Sequence, residues 1–124
     1  MGSQTRPLAF IIEDDISLTD IFSQAMKQAG FNTQAVADGQ EALDRLATIE
    51  PKVIILDLYL PSVSGDKILT YIRNDRRLKK TIVVLTTFDS LLADSLREHC
   101  DFVMLKPVSF IQLRDLGSRI RMSL

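Results

Sequence analysis

Four places in the chain put polar side chains directly after an apolar run. Glu13, Asp14 and Asp15 follow residues 8–12, Asp57 follows 52–56, Thr86 and Thr87 follow 81–85, and Lys106 follows 101–105. Carboxylates, a hydroxyl and an ammonium are the groups that phosphoryl transfer to a carboxylate requires, together with a hard cation that neutralises the oxygens in transit. In that chemistry Asp57 attacks, and Thr86 and Lys106 hold the transferred group. Taken singly, each residue has an ordinary reading: Asp14 or Asp15 caps a helix, an Asp opens a loop, a Thr ends a strand, a strand-end Lys is solvated. Their common position after successive apolar runs sets the group apart.

The acids carry a further implication. If Asp14 and Asp57 lie on neighbouring strands about 4.8 Å apart, their carboxylates repel by on the order of 3 kcal/mol at an effective dielectric of about 20. Such a pair either takes up a proton or holds a cation. No His or Cys stands among these residues, and an all-oxygen donor set suits Mg²⁺ or Mn²⁺. His99 and Cys100 precede the fifth apolar run, at the end away from Lys106; they read as helix-end and core residues.

The elements that must position these side chains alternate along the chain. Strand-type runs fall at residues 8–12, 31–37, 52–56, 81–85 and 101–105, and segments of helical period lie between and after them. The first helix, over about 16–29, carries Leu18, Ile21, Phe22, Ala25, Met26 and Ala29 on one stripe, and Gly30 stands where a left-handed cap belongs. Leu43, Leu46 and Ala47 mark the second helix, Ile68, Leu69 and Ile72 the third, and Leu91, Leu92 and Leu96 the fourth. The fifth holds Phe110, Ile111, Leu113, Leu116 and Ile120, with Gly117 weakening it by about 1 kcal/mol relative to Ala.

This alternation predicts an α/β fold with a parallel sheet. The first, third and fourth runs are nearly continuous in apolar residues, which suits interior strands covered on both faces. Asn32, Thr33 and Gln34 suit the second run to an edge. In an open parallel sheet all carboxyl ends share one edge, where ligand crevices form. The polar residues therefore converge.

Composition limits the remaining possibilities. The 124 residues carry 15 Lys+Arg against 16 Asp+Glu, for a net charge of −1, which excludes the cationic field of a non-specific nucleic-acid binder. Cys100 is the lone cysteine, so no internal disulfide forms. The run at 8–12 is too short for a membrane span and leads straight into acids; a cytoplasmic protein without membrane contact is expected. Residues 73–80 hold Arg73, Arg76, Arg77, Lys79 and Lys80 against Asp75, without interleaved aromatics, and read as a solvated connector.

At these residues the sequence resembles the receiver domain of two-component response regulators, from about residue 7 to residue 122. The parts are Phe10-Ile11-Ile12-Glu13-Asp14-Asp15, then Val53-Ile54-Ile55-Leu56-Asp57-Leu58-Tyr59-Leu60-Pro61 with Gly65 following, then Val84-Leu85-Thr86-Thr87, then Leu105-Lys106-Pro107. The resemblance implies a flavodoxin-like doubly wound (βα)₅ fold with strand order 2-1-3-4-5. By position it makes Asp57 the phospho-acceptor, Asp14 a direct metal ligand, Glu13 a ligand through water, and the Tyr59 carbonyl the remaining protein ligand. Thr86 resembles the switch hydroxyl, Lys106 the ammonium that grips the phosphoryl group, and Lys106-Pro107 a cis peptide; Asp15 is left to cap the first helix.

The implied function is a phosphorylation-dependent switch. A sensor histidine kinase or a phosphotransfer protein donates to Asp57, and an effector protein or output domain reads the face of the fourth helix, fifth strand and fifth helix, with a phosphorylation-dependent homodimer as a further form. The step is self-directed, so the chain is not an enzyme in the turnover sense. The expected organisation is a flexible lead-in over 1–6 and a receiver over 7–124, with no output domain in this chain.

Three departures from the family pattern stand out. Val103 occupies the place of the usual inward-turning aromatic while neighbouring Phe102 points to the opposite sheet face, Thr87 replaces a smaller residue and narrows access to the phosphoryl group, and Leu60 replaces Met. Tyr59 and Phe88 stand at positions that resemble those flanking the attacking water in the family; as a shield they would lengthen the phosphoryl lifetime, and the alternative is a pair of surface aromatics pointing into solvent.

Other functions are less well served. A phosphatase with an aspartate nucleophile wants a second Asp where Tyr59 stands. A flavin or nucleotide binder wants a glycine-rich cradle, which Gly2, Gly30, Gly39, Gly65 and Gly117 do not form. A degenerate receiver acting purely as an interaction module would not need the complete set of acids, Thr86 and Lys106.

Overall fold

The computed structural model describes residues 5–124; of the lead-in expected over 1–6, the first four residues lie outside it. Strands β1 (Leu8–Ile12), β2 (Asn32–Val36), β3 (Val53–Asp57), β4 (Ile82–Thr87) and β5 (Phe102–Leu105) alternate with helices α1 (Ile16–Gln28), α2 (Gly39–Leu46), α3 (Gly65–Asn74), α4 (Ser90–Leu96) and α5 (Phe110–Ser123). The strands form one parallel sheet in the order β2-β1-β3-β4-β5. This is the expected doubly wound fold, with β2 at an edge.

Alternation along the strands builds two cores. Phe10, Ile12, Ile54, Leu56, Val83 and Leu85 face α2, α3 and α4, where Leu46, Ile68, Ile72 and Ala93 meet them. Ala9, Ile11, Val53, Ile55 and Val84 face the opposite way onto Phe22 and Met26 of α1 and Leu113 and Ile120 of α5. Every residue of β3 is buried, as its unbroken apolar run requires.

Polar residues set the helix ends. The Asp15 carboxylate accepts the Leu18 N–H at 3.0 Å, Asp38 accepts from Glu41 at 3.0 Å, and Asp89 accepts from Leu92 at 2.9 Å. Each satisfies a backbone donor that the first turn leaves free. Ser109 and Gln112 form a capping box at α5. After α1 the chain reverses through Gly30 at φ +106°, the left-handed conformation that glycine adopts without steric cost.

Several expectations need correction. β3 and β4 do not stop at Leu56 and Leu85; Asp57 pairs with Thr86 in register, and Thr87 with Leu105. A ladder is built from backbone groups, so it continues past the change to polar side chains. Phe31 and Ala37, expected in the second strand, lie outside β2. Leu91 is exposed and does not join the buried face of α4, which contributes Ala93.

Gly117 is more than a weak point in α5. A Cβ there would sit 2.9 Å from the Ala29 Cβ and 3.0 Å from the Met26 Sδ, so its lack of a side chain lets α5 approach α1. The basic run at 73–80 is no free connector either. Arg73 closes α3, donates to the His99 and Thr81 carbonyls at 2.6 and 3.1 Å, and pairs with Asp101 at 3.0 Å. Arg77 donates to the Leu46 and Ile49 carbonyls and pairs with Asp75, while Leu78 of the 3₁₀ turn Arg76–Leu78 is buried. Arg76, Lys79 and Lys80 alone keep the solvated character read from composition.

Among the described residues, no helix is long and apolar enough to cross a membrane.

Candidate functional site

The strand ends bring the expected residues together at the carboxyl edge of the sheet. Register pairs Ile12 with Leu56, so the chain leaves β1 at Glu13 and Asp14 beside Asp57, the last residue of β3. Thr86 lies opposite Asp57 on β4, and Lys106 follows directly after β5. Carboxylate oxygens of Glu13, Asp14 and Asp57 all lie within 4.8 Å of one another.

Lys106 sits between two of these acids. Its Nζ donates to Glu13 Oε1 at 2.8 Å and lies 3.3 Å from Asp57 Oδ1, with all three side chains almost wholly buried. The other Glu13 oxygen accepts the Asp15 N–H at 3.0 Å. Both Glu13 oxygens are thus engaged by the protein, whereas Asp14 is exposed to solvent.

Burial governs the ionisation of this cluster. Removal from water pushes both Glu13 and Asp57 above the usual carboxylate range, and the nearby ammonium of Lys106 only partly offsets it. Repulsion from Asp14 adds to the rise at Asp57. For Lys106 burial alone would lower the pKa, but the hydrogen bond to Glu13 and the charge on Asp57 outweigh it and the ammonium is held above its ordinary value.

Thr86 adds an unsatisfied group. Its Oγ1 is fully buried and has no hydrogen-bond partner. A buried hydroxyl left unpaired costs about 1–3 kcal/mol. Three carboxylates facing one ammonium, with a spare buried donor beside them, form a site that fits a hard cation and an incoming anionic oxygen.

Two close approaches hold the loop that leaves Asp57. Gly65 donates its N–H to the Leu58 carbonyl at 2.8 Å, and a Cβ on Gly65 would lie 2.2 Å from the Asp57 carbonyl oxygen. Farther along, the Ser62 hydroxyl donates to Asp38, and Gly39 donates its N–H to the Pro61 carbonyl at 3.0 Å. Ser62 adopts φ +70° at this anchor.

Tyr59 and Phe88, the two aromatics beside the site, are 59% and 73% exposed in the unmodified chain. The Tyr59 hydroxyl donates to the Asp89 carboxylate, which lowers the Asp89 pKa and raises that of Tyr59. Phe88 places its ring centroid 5.7 Å from Lys106 Nζ, within reach of a cation–π contact.

Thr87 is buried, and its Oγ1 accepts the Asp89 N–H at 3.0 Å. Val103 packs against the core on the α2–α4 side, and Phe102 is partly exposed on the other face, beside Leu116 and Ile120 of α5. Leu60 is half-buried against the first of these cores. Lys106-Pro107 is cis.

Asp38, Ser62 and Asp89 were not singled out by sequence reasoning. An acid just before a helical segment marks a cap, which was the available signal for Asp38 and Asp89. Nothing local foretold that each cap would also hold the loop after Asp57.

Comparison with known proteins agrees with this geometry. The family model described as the response regulator receiver domain matches residues 9–117. The chain is 33% identical to the transcriptional regulatory protein TrcR of Mycobacterium tuberculosis, over 97% of this chain and 45% of TrcR. It is 29% identical to the DNA-binding response regulator MtrA of Mycolicibacterium paratuberculosis, over 94% of this chain and 50% of MtrA. The chain thus spans about half the length of these relatives. In structure it is similar to the chemotaxis response regulator CheY4 of Vibrio cholerae, with a TM-score of 0.84 at 23% identity, covering 94% of this chain and 99% of that one.

Proposed function

The chain belongs to the response regulator receiver domain family, and from that membership we propose that Asp57 is its phospho-acceptor. The observation that carries the proposal is the position of Asp57, buried at the end of β3 with Lys106 Nζ 3.3 Å from one carboxylate oxygen and the unpartnered Thr86 hydroxyl opposite in the ladder.

The donor is a phosphohistidine, presented by a sensor histidine kinase or a phosphotransfer protein. A carboxylate oxygen of Asp57 attacks phosphorus, the P–O bond forms as the P–N bond breaks, and the imidazole nitrogen leaves with its electron pair and takes up a proton. Lys106 then holds the phosphoryl oxygens, and the free donor of Thr86 supplies the hydrogen bond that the site lacks beforehand. Neither residue needs to enter from solvent.

Asp14, Asp57 and the Tyr59 carbonyl would hold Mg²⁺ or Mn²⁺, with Glu13 acting through water. That role for Glu13 suits a carboxylate whose two oxygens are already held by Lys106 and the Asp15 N–H. When bound, the cation supplies charge neutralisation for the acids and for the oxygens in transit. Phosphoryl loss ends the signal at the same residue, so the chain is modified rather than turning over a substrate.

We read residues 7–124 as the receiver unit, working in the cytoplasm. Its downstream partner is an effector protein or an output domain, and a phosphorylation-dependent homodimer fits the same switch. A direct contact of this unit with nucleic acid or membrane has no support in its near-neutral charge.

Labelling with a small phosphodonor such as acetyl phosphate, in Mg²⁺, tests the acceptor directly. The wild type should gain one phosphoryl group by intact mass, and Asp57→Asn should gain none. Persistent labelling of Asp57→Asn would overturn the assignment.

A further inference from the structure

The loop that leaves the acceptor is strung between the caps of two helices. At its far end Ser62 donates to Asp38, whose other oxygen caps α2 through the Glu41 N–H. This end has little freedom, because a Cβ on Gly39 would lie 1.9 Å from the Val63 carbonyl oxygen. At the near end, two residues after Asp57, the exposed Tyr59 donates to Asp89, whose other oxygen caps α4 through the Leu92 N–H at 2.9 Å. One carboxylate thereby holds both the acceptor loop and the first turn of α4.

Asp89 is also tied to the other side of the site. Its N–H donates to Thr87 Oγ1 at 3.0 Å, and Thr87 follows Thr86, the residue with the unpartnered hydroxyl opposite Asp57. A backbone shift at Thr86 toward a new anionic group would pass to residues 87–89 through this contact. The place where an inward-turning aromatic would respond is taken by Val103, which stands packed in the core.

We propose that Asp89 is a positioning residue that relays the state of Asp57 to α4, through a hydrogen bond with Tyr59 that holds in the unmodified chain and breaks when Asp57 is loaded. The relay rests on Asp57 being the acceptor. A hydrogen bond to a charged acceptor is strong enough to bias a two-state element by about tenfold. The Tyr59 end of the loop is where displacement at Asp57 emerges, because the Ser62 end is locked to α2.

Asp89→Ser separates the two jobs of the carboxylate, since serine still caps a helix but is too short to reach Tyr59. Amide hydrogen exchange at Leu92 and Ala93 is compared before and after loading with acetyl phosphate and Mg²⁺, with the phosphoryl content of each sample read by intact mass. In the wild type, loading should speed exchange at these amides by about tenfold, the bias that one such bond supports. In Asp89→Ser the amides should already exchange fast, and loading should change them little. Tyr59→Phe should reproduce that loss of response, and the double variant should add nothing to it.

A loaded Asp89→Ser chain with the full wild-type response at α4 would refute the relay while leaving the acceptor assignment intact. A wild-type chain that does not load would refute the acceptor assignment, and the relay with it.

Discussion

Replacing Lys106 by Met tests how the site balances its charge. Lys106 Nζ contacts Glu13 at 2.8 Å and Asp57 at 3.3 Å, and the side chains of all three are 6% exposed or less. Methionine keeps much of the aliphatic bulk and removes the ammonium. What remains is Glu13, Asp14 and Asp57 with oxygens within 4.8 Å, a separation at which two charges repel by on the order of 3 kcal/mol at an effective dielectric of about 20. Removing one partner of a buried pair costs about 3–5 kcal/mol, and that is the expected loss for Lys106→Met in EDTA near pH 8.

The same electrostatics dictates two conditions under which the loss should shrink. Saturating Mg²⁺ supplies positive charge to the same carboxylates, so the variant should recover more stability from the metal than the wild type does. Lowering the pH should also help. Glu13 and Asp57 already titrate above their ordinary values in the folded chain, and loss of the ammonium raises them further. An acid whose folded pKa is raised favours the folded state at pH below its unfolded value and loses that contribution as pH rises through its folded value. The penalty should therefore be smallest near pH 5 and largest near pH 8. Urea unfolding of both proteins at the two pH values, each with EDTA and with Mg²⁺, measures the difference. A loss that is the same in all four conditions would mean that Lys106 contributes through shape alone.

Two glycine substitutions probe the frame of the site. In Gly65→Ala the new Cβ would fall 2.2 Å from the Asp57 carbonyl oxygen and 2.7 Å from the Leu58 Cα, both backbone atoms that cannot rotate away. Overpacking of this kind costs about 3 kcal/mol or more; urea unfolding should show it, and acetyl phosphate labelling of Asp57 should slow in parallel. In Gly117→Ala the helix gains about 1 kcal/mol of propensity, but the Cβ meets Ala29 at 2.9 Å and Met26 at 3.0 Å. The expected balance is a loss of about 1 kcal/mol, since the contact with Ala29 is rigid even though Met26 can yield; a raised melting temperature would show that the α1–α5 contact is looser than these distances indicate.

How legible the site was depends on what kind of information each part needs. Strand identity and the placement of Glu13, Asp14, Asp57, Thr86 and Lys106 on one edge follow from local patterns, since parallel strands share a direction and each polar residue closes an apolar run. The cap at Asp15 is likewise local. Gly117 could not be judged locally. Its penalty in an isolated helix is visible from composition, whereas its use, admitting α1 at contact distance, exists only once the helices pack. The basic run behaved in the same way: Arg73 and Arg77 look solvated until the carbonyls of His99, Thr81 and Leu46 come within reach of their guanidinium groups.

The contacts around Asp57 show why a switch is harder to read than a site. Chemistry at one point needs the right groups at the right strand ends, and periodicity reports that directly. Communication needs residues from separate loops to share one side chain, as Tyr59 and the first turn of α4 share the Asp89 carboxylate and as Ser62 and the first turn of α2 share Asp38. Cap and loop contact draw on the two oxygens of the same group, so a local rule identifies the first and is silent on the second. The asymmetry between the two anchors then matters for function. Asp38 lies beside a backbone contact that leaves no room for a methyl group on Gly39, while Asp89 holds a side chain that is mostly in solvent. A loop locked at one end by backbone contact, and linked to α4 at the other through one exposed side-chain hydrogen bond, yields more readily at the second, and that end leads to α4.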